Sequence, residues 1–466
     1  MKNRWPVFFF LLFTTSASGQ WDDVDRLPAS FHRARREALR ELMPEKSAAV
    51  FFSAPVRNRS NDVDFQFSQN PDFYYLTGHI EPDAVFVLFK EPRLIDGAMH
   101  DELIFVQKRN PLREIWTGRV LGAEGARGRL GIKGAYTGSE WIGFGINWTS
   151  FKEVFVLWPD LPNTSKDDDA DLGDLAEELK TRLKPEEVNL NSRGLRSMMA
   201  QLREVKTPEE LALLQRAVDI TVDGFTDMMK QLEPGMKEYE AQAWIEFHAR
   251  KNGSEYMGYP SICGGGDNAC VLHYTHNRKI LQEGELILVD MGAEYHGYTA
   301  DITRTVPVSG TFSVPQRQLY ELVWNAQQAG IKACTKGASF RAAHEEARKV
   351  IGEGLVALGI ISKKSELDRY FMHGTSHYLG LDVHDAGTYG PLKPGVVMTV
   401  EPGIYIPEGS PCDPKWWKTG VRIEDDILVT DGEPVILSKA LPSRWEDIEK
   451  VMKVKAAVSE PTGTGR

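Results

Sequence analysis

The sequence predicts an α/β (α+β) protein in two parts, a mixed helix and strand domain over residues 31–165 and a larger domain over 207–453. Two observations carry that expectation. Between residues 31 and 160, stretches of helical period alternate with short apolar strands. From residue 207 on, two helical stretches, 208–252 and 314–358, each lead into a pair of apolar strands with an acid on both strands. A helix-helix-strand-strand plan is thus used twice, as in a duplicated domain with a pseudo-twofold axis. At about 150 residues per domain, 466 residues allow two to four domains. A composition 42 % hydrophobic and 10 % aromatic excludes a wholly disordered or fibrous protein.

The first nineteen residues read differently from the rest. Lys2 and Arg4 precede an unbroken apolar run at 7–13, and Ala17 and Gly19 sit before a possible cut at Gln20, the pattern of a secretory signal peptide. The expected location is therefore exported, periplasmic or secreted. The run is too short for an ordinary membrane span, and no other stretch reaches about 18 apolar residues. An amphipathic helix is expected at 31–43 and strands at 48–52, 84–90, 102–107 and 153–158. Residues 163–174 are acidic, with three aspartates at 167–169 read as solvated chain rather than a cation site, and 166–206 is expected to link the domains. Thr207-Pro208-Glu209-Glu210 then combines an N-cap, a first-turn proline and an N3 glutamate, a strong helix start. The tail, 456–466, is small and polar.

Acids outnumber bases, 66 to 55, for a formal charge of −11. That balance argues against a general nucleic-acid binder, whose affinity comes from Lys and Arg meeting phosphates. Four cysteines, Cys263, Cys270, Cys334 and Cys412, show no metal-type spacing; free, partly buried thiols are favoured over a Cys263–Cys270 pair. Asn58, Asn147, Asn163 and Asn252 stand in N-x-S/T sequons, which matter only in a eukaryotic secretory pathway. Of eleven histidines, His373, His377 and His384 crowd into one short segment.

The chemistry-bearing pattern lies in the repeated strands. Asp290 and Asp301 occupy the first pair, Glu401 and Glu424 the second, with a longer connection at 407–419. Burying a carboxylate costs several kcal/mol unless a base or a metal offsets it, and only Arg304 and Arg422 are near in sequence. With His377 the acids make an oxygen-rich set of five donors suited to two divalent cations of the Mn, Co or Zn type, which can share a hydroxide nucleophile. The competing reading is acids at strand ends capping turns.

Seven segments sharpen this. HGTSHYLGLDVHD from His373 to Asp385, TVEPGIYI, GVRIEDDILV, LVDMGAEYHGYTADITRT and LHYTHN resemble the aminopeptidase P branch of the pita-bread metallopeptidases. NPDFYYLTGHIEPDAVFVLF and REIWTGRVLG resemble that family's creatinase-type amino-terminal domain. The resemblance spans nearly the whole chain after the leader. It implies Asp290 on one metal, Asp301 and Glu424 bridging both, and His377 and Glu401 completing the other. The metals implied are two divalent ions, Mn2+ first, with Co2+ or Zn2+ as alternatives. Glu401 would also accept the proton of the attacking water. His384 would contact the substrate carbonyl or leaving group, His273 would stabilise the tetrahedral intermediate, and His373 would line the specificity pocket. Arg422 would support the carboxylates from behind, and Tyr405 would do likewise or pack in the core. Trp116 resembles an aromatic that reaches toward a neighbouring subunit's site in the family's oligomers; the alternative is a core tryptophan. His79, His100, His248 and His276 receive no role.

The activity so implied is removal of the first residue from peptides with proline second (Xaa-Pro-Yaa) by a metal-dependent exopeptidase. The alternatives are an Xaa-Pro dipeptidase and, from another class, a non-catalytic binding protein on the same fold. The expected partners are proline-containing peptides and further copies of the chain in a dimer or tetramer, with no nucleic acid and, after removal of the leader, no membrane.

Overall fold

The computed structural model describes residues 25–161, 170–184 and 187–454. The expected signal peptide, the tail, the aspartates at 167–169 and the sequon at Asn163 lie outside them. The chain divides into two compact units, Met1–Ser192 and Arg193–Arg466.

The first unit is built on a six-stranded mixed sheet. Its strands are β1 (Ser47–Phe52), β2 (Val85–Ile95), β3 (Ala98–Val106), β4 (Ala135–Thr137), β5 (Glu153–Val156) and β6 (Asn189–Leu190), in the order β4-β3-β2-β1-β5-β6. β1 pairs antiparallel with β2 and parallel with β5. Every residue of β1 is buried, which explains its continuous apolar reading SAAVFF: a strand covered on both faces has no polar alternation. β2 and β3 run longer than expected because residues 93–100 extend them into a hairpin, Arg93 opposite His100. Helices α1 (Ala29–Leu42), α2 (Pro71–Thr77), α3 (Pro111–Thr117) and α4 (Leu172–Arg182) complete the principal elements of this unit.

α4 corrects the expected linker. Leu172, Leu175, Ala176, Leu179 and Leu183 are buried in the first unit's core, at the i, i+3, i+4, i+7 spacing of one helix face. The rest of the stretch holds α5 (Ser192–Glu204), so 166–206 carries one helix packed in each unit rather than bare chain, and the first unit extends to Ser192. Beside α4, the Phe105 ring meets Trp141, Phe144 and Tyr136 at centroid distances of 4.8, 5.0 and 5.7 Å, and the Trp141 indole N–H donates to the Leu175 carbonyl at 2.9 Å.

The second unit repeats its plan as expected. α6 (Pro208–Gln231) and α7 (Glu238–Lys251) precede the antiparallel sheet β7 (Ile262–Gly265), β8 (Leu286–Met291) and β9 (Ile302–Pro307). α8 (Val314–Ala333) and α9 (Ala342–Ala357) precede β10 (Val397–Val400), β11 (Gly403–Ile406), β12 (Thr419–Arg422) and β13 (Asp425–Leu428). The Thr207 capping box starts α6: its hydroxyl accepts the Glu210 N–H, while the Glu210 carboxylate accepts the Thr207 N–H at 2.9 Å. β10 pairs with β13 and β11 with β12. An isolated bridge between Thr303 and Glu424 joins the two repeats, with the Glu424 N–H on the Thr303 carbonyl at 3.1 Å.

Removing the ring at the centre of the first unit's aromatic cluster leaves a cavity among Tyr136, Trp141 and Phe144. Phe105→Ala should therefore cost about 3–5 kcal/mol, read as a lowered urea midpoint for the first unit's unfolding by tryptophan fluorescence.

Candidate metal centre

The repeated strands deliver the four acids to one place. Asp290 lies in β8 opposite Thr303 of β9, Asp301 stands immediately before β9, Glu401 immediately follows β10, and Glu424 fills the gap between β12 and β13. Asp290, Asp301 and Glu424 are buried. His377 arrives on an irregular segment pinned to β10, its N–H on the Thr399 hydroxyl at 3.2 Å and the Thr399 N–H on its carbonyl at 3.0 Å. Its Nδ1 donates to the Tyr378 carbonyl at 3.0 Å, which fixes the tautomer and leaves Nε2 facing the acids. Nε2 lies 3.3 Å from Asp301 Oδ2 and 3.7 Å from Glu401 Oε1. Asp301, His377 and Glu424 each offer a ligand atom within 4.8 Å of the others.

The supporting groups are few and specific. Arg422 Nη2 donates to Asp290 Oδ2 at 2.6 Å, its Nη1 to the Tyr405 hydroxyl at 2.9 Å and its Nε to the Thr303 hydroxyl at 3.1 Å. Thr303 in turn donates to Glu424 Oε2 at 2.6 Å. Arg304, the other base expected nearby, is spent on the Asp425 carboxylate at 2.7 Å and on the carbonyls of Thr303, Glu424, Leu441 and Pro442. Tyr405 therefore belongs both to the core, packed with Ile262, Ala269 and Leu288, and to the hydrogen-bond chain behind the acids.

The other expected residues are less tightly placed. His373 Nε2 meets the Tyr405 hydroxyl at 2.8 Å. The His384 ring lies 4.2 Å from that of His377. His273 is exposed on the loop after Cys270. Trp116 lies in the first unit, 89 % exposed on α3, a helix with no buried residue, so it is not a core tryptophan. All four cysteines are free, Cys263 and Cys334 buried.

Three participants escaped the sequence reading: Tyr259, Thr303 and Asp426. The Tyr259 hydroxyl lies 2.6 Å from both Asp290 Oδ1 and Asp301 Oδ1. Asp426 Oδ2 accepts the Asp301 N–H at 3.2 Å. Alternation along β9 could have flagged Thr303, two residues beyond Asp301; Tyr259 precedes Pro260 in a segment without periodicity.

Electrostatics tests whether this set fits a cation. Tyr259 has one proton for two carboxylate oxygens, so one of its two short contacts needs a further proton or a cation. Burial raises Asp290 despite Arg422, and raises Glu424 well above the carboxylate range, reinforced by the charges of Asp301, Glu401 and Asp290. Burial likewise pushes Glu401 up to about 8 against the pull of His377 and Arg422. Burial lowers an imidazole, yet the hydrogen bond and charge of Asp301, with Glu401, hold His377 at about 9. His373, lowered to about 4 by burial and then by Arg422, is neutral, so its 3.6 Å approach to Glu401 is not an ion pair. Oxygen-rich donors starved of positive charge, with one correctly oriented imidazole, fit hard or borderline divalent ions.

Comparison with known proteins agrees with this chemistry. Residues 212–431 match metallopeptidase family M24, and residues 32–143 match the aminopeptidase P N-terminal domain. Xaa-Pro aminopeptidase of Escherichia coli is 37 % identical over 440 residues, 90 % of this chain and 96 % of the relative. Human Xaa-Pro aminopeptidase 3 is 35 % identical over 90 % of this chain and 84 % of its own length. The structure of Pseudomonas aeruginosa aminopeptidase PepP superposes with a TM-score of 0.82 at 33 % identity, covering 92 % of this chain and 99 % of that one. The chain belongs to the aminopeptidase P branch of the M24 metallopeptidases, with the creatinase-type amino-terminal domain and pita-bread domain that its motifs implied.

Two outcomes follow. Tyr259→Phe should weaken divalent-metal binding about 10–100-fold in calorimetric titration while the circular dichroism spectrum stays native; unchanged affinity would deny the phenol its role. Without metal, Glu401 and His377 hold protons that the unfolded chain releases near 4.5 and 6.5, and the fold keeps them to about 8 and about 9. Raised folded-state values mean stability present at low pH and lost as pH climbs through those values. With chelator the thermal midpoint should fall between pH 6 and pH 9, and saturating Mn2+ should flatten that fall, because metal displaces the same protons.

Proposed function

We propose that this protein is an Xaa-Pro aminopeptidase, a metal-dependent exopeptidase that releases the first residue of peptides with proline in the second position. The observation that supports it most is the donor set of Asp290, Asp301, His377, Glu401 and Glu424, with one guanidinium, Arg422, on Asp290, in a chain similar over 90 % of its length to an enzyme of that name. Asp290, Asp301, His377, Glu401 and Glu424 would hold two divalent ions, with Mn2+ the preferred ion on the dominance of oxygen donors. The Zn-substituted E. coli relative shows that such a site in that protein also takes zinc.

Bound ions would supply a nucleophilic water near neutral pH and a positive field for the developing oxyanion. The chain's own groups do the rest. Glu401 accepts the proton given up by the attacking water and returns it to the departing proline nitrogen. Arg422 and Tyr259 grip both oxygens of Asp290 and hold its plane. Neutral His373, braced by Tyr405, forms an uncharged wall beside Glu401. His384 and His273, with no side-chain hydrogen bonds among the described residues, keep ring nitrogens open for the substrate carbonyl and the tetrahedral intermediate. A bond before proline lacks an N–H and has its backbone fixed by the ring, so peptidase clefts that bind an extended chain reject it, and a site shaped for the ring is selective.

Export is supported by the leader at 1–19, and among the described residues no helix is long and apolar enough to cross a membrane. A homo-oligomer is supported by α3, which presents Leu112, Ile115 and Trp116 to solvent.

The test is purified protein with Mn2+ assayed on Xaa-Pro-Yaa, Xaa-Pro and Xaa-Ala-Yaa. Release of the first residue from Xaa-Pro-Yaa alone is expected. Cleavage of the dipeptide alone would mark a dipeptidase, and no cleavage with any divalent ion would mark a binding protein. Glu401→Gln should lower turnover by at least about 100-fold while the circular dichroism spectrum stays native.

A further inference from the structure

His384 is carried by a segment without regular structure, residues 379–395. Its imidazole makes no hydrogen bond among the described residues, and its ring lies 4.2 Å from that of His377. What locates it is its neighbour. The Asp385 N–H donates to the Tyr378 carbonyl at 2.9 Å, and the Asp385 side chain is buried. One of its oxygens accepts from Lys206 Nζ at 2.8 Å, the other from Arg203 Nη2.

Arg203 lies in the last turn of α5, and Lys206 in the short connection from α5 to α6. Arg203 also reaches Asp382 Oδ2 at 2.9 Å, and Lys206 Nζ also donates to the Arg203 carbonyl at 2.8 Å. Glu204, between them, accepts the Thr388 N–H at 2.8 Å and pairs with Lys393 at 2.9 Å. The Lys206 N–H donates to the Gly395 carbonyl at 2.8 Å, and Val205 bridges to Val396 at the entry to β10. The loop closes so tightly over this cluster that a Cβ at Gly380 would run into the Asp385 carboxylate and Lys206 Cε.

A buried ion cluster contributes little net stability over apolar packing of the same volume, but charged hydrogen bonds are short and directional and so fix geometry. We propose that Arg203 and Lys206 are positioning residues for peptide cleavage: by clamping Asp385 they set the backbone that aims His384 beside His377. This rests on the role proposed above for His384.

A double-mutant cycle on the metal-loaded full chain tests it. Lys206→Met should lower kcat on Xaa-Pro-Yaa by about 10–100-fold, the usual effect of removing an outer support, with metal stoichiometry unchanged. In a His384→Ala background the same substitution should cause no further loss, because its effect passes through that imidazole. Losses that multiply, or a Lys206→Met enzyme with native kcat, would overturn the positioning role alone. Native turnover in His384→Ala would overturn the role of His384 and this inference with it. Should Lys206→Met fail to fold, Asp385→Glu, which keeps the charges but lengthens the arm, enters the same cycle with the same outcomes.

Discussion

Four carboxylates held in one low-dielectric pocket repel one another, and each resists losing its hydration. Arg422 is the one guanidinium among the described residues that grips any of the four side chains, through Asp290. Nothing else on that scale offsets the charge, so burial pushes Asp290, Glu401 and Glu424 toward their protonated forms. Such a pocket is costly as a piece of core. It makes sense as a receptacle for positive charge, and two divalent ions would match the four carboxylates charge for charge.

The duplicated architecture makes this crowding possible. Each repeat brings two acids on paired strands, and the Thr303–Glu424 bridge draws the two sets together. The same few residues then serve twice. Thr303 accepts from Arg422 and donates to Glu424, while Tyr405 links Arg422 to His373. The carboxylates are thus aimed before any ion arrives, which reduces the reorganisation that binding requires. Outside the strands, where His384 has no regular structure under it, the buried Asp385 cluster supplies the equivalent rigidity.

Much of this was legible in the sequence because the signals were local or repeated. An acid inside an apolar strand stands out, and LILVD and MTVE each announce one; the Thr207-Pro208 helix start appears at the residue where it was expected. The α4 helix was hidden by the polar stretch before it, although its apolar residues follow one face and pack into the first unit. Tyr259, Asp426, Arg203 and Lys206 were not legible, for a different reason. Their functions depend on contacts with residues far along the chain, such as Asp290 for Tyr259 and Asp385 for Lys206. No pattern of period 2 or 3.6 encodes which distant carboxylate a lone tyrosine or lysine will meet. Trp116 illustrates the converse: a tryptophan in sequence suggests core, and only the fold shows it in solvent.

If the buried acids serve to hold a pair of divalent ions, the ions themselves can be located. The most direct measurement is anomalous diffraction from crystals grown with Mn2+. Two anomalous peaks are expected about 3.5–4 Å apart, both against Asp301 and Glu424, one also against Asp290 and the other against His377 and Glu401. A single peak, or peaks held by other side chains while these carboxylates keep their protons, would contradict that role.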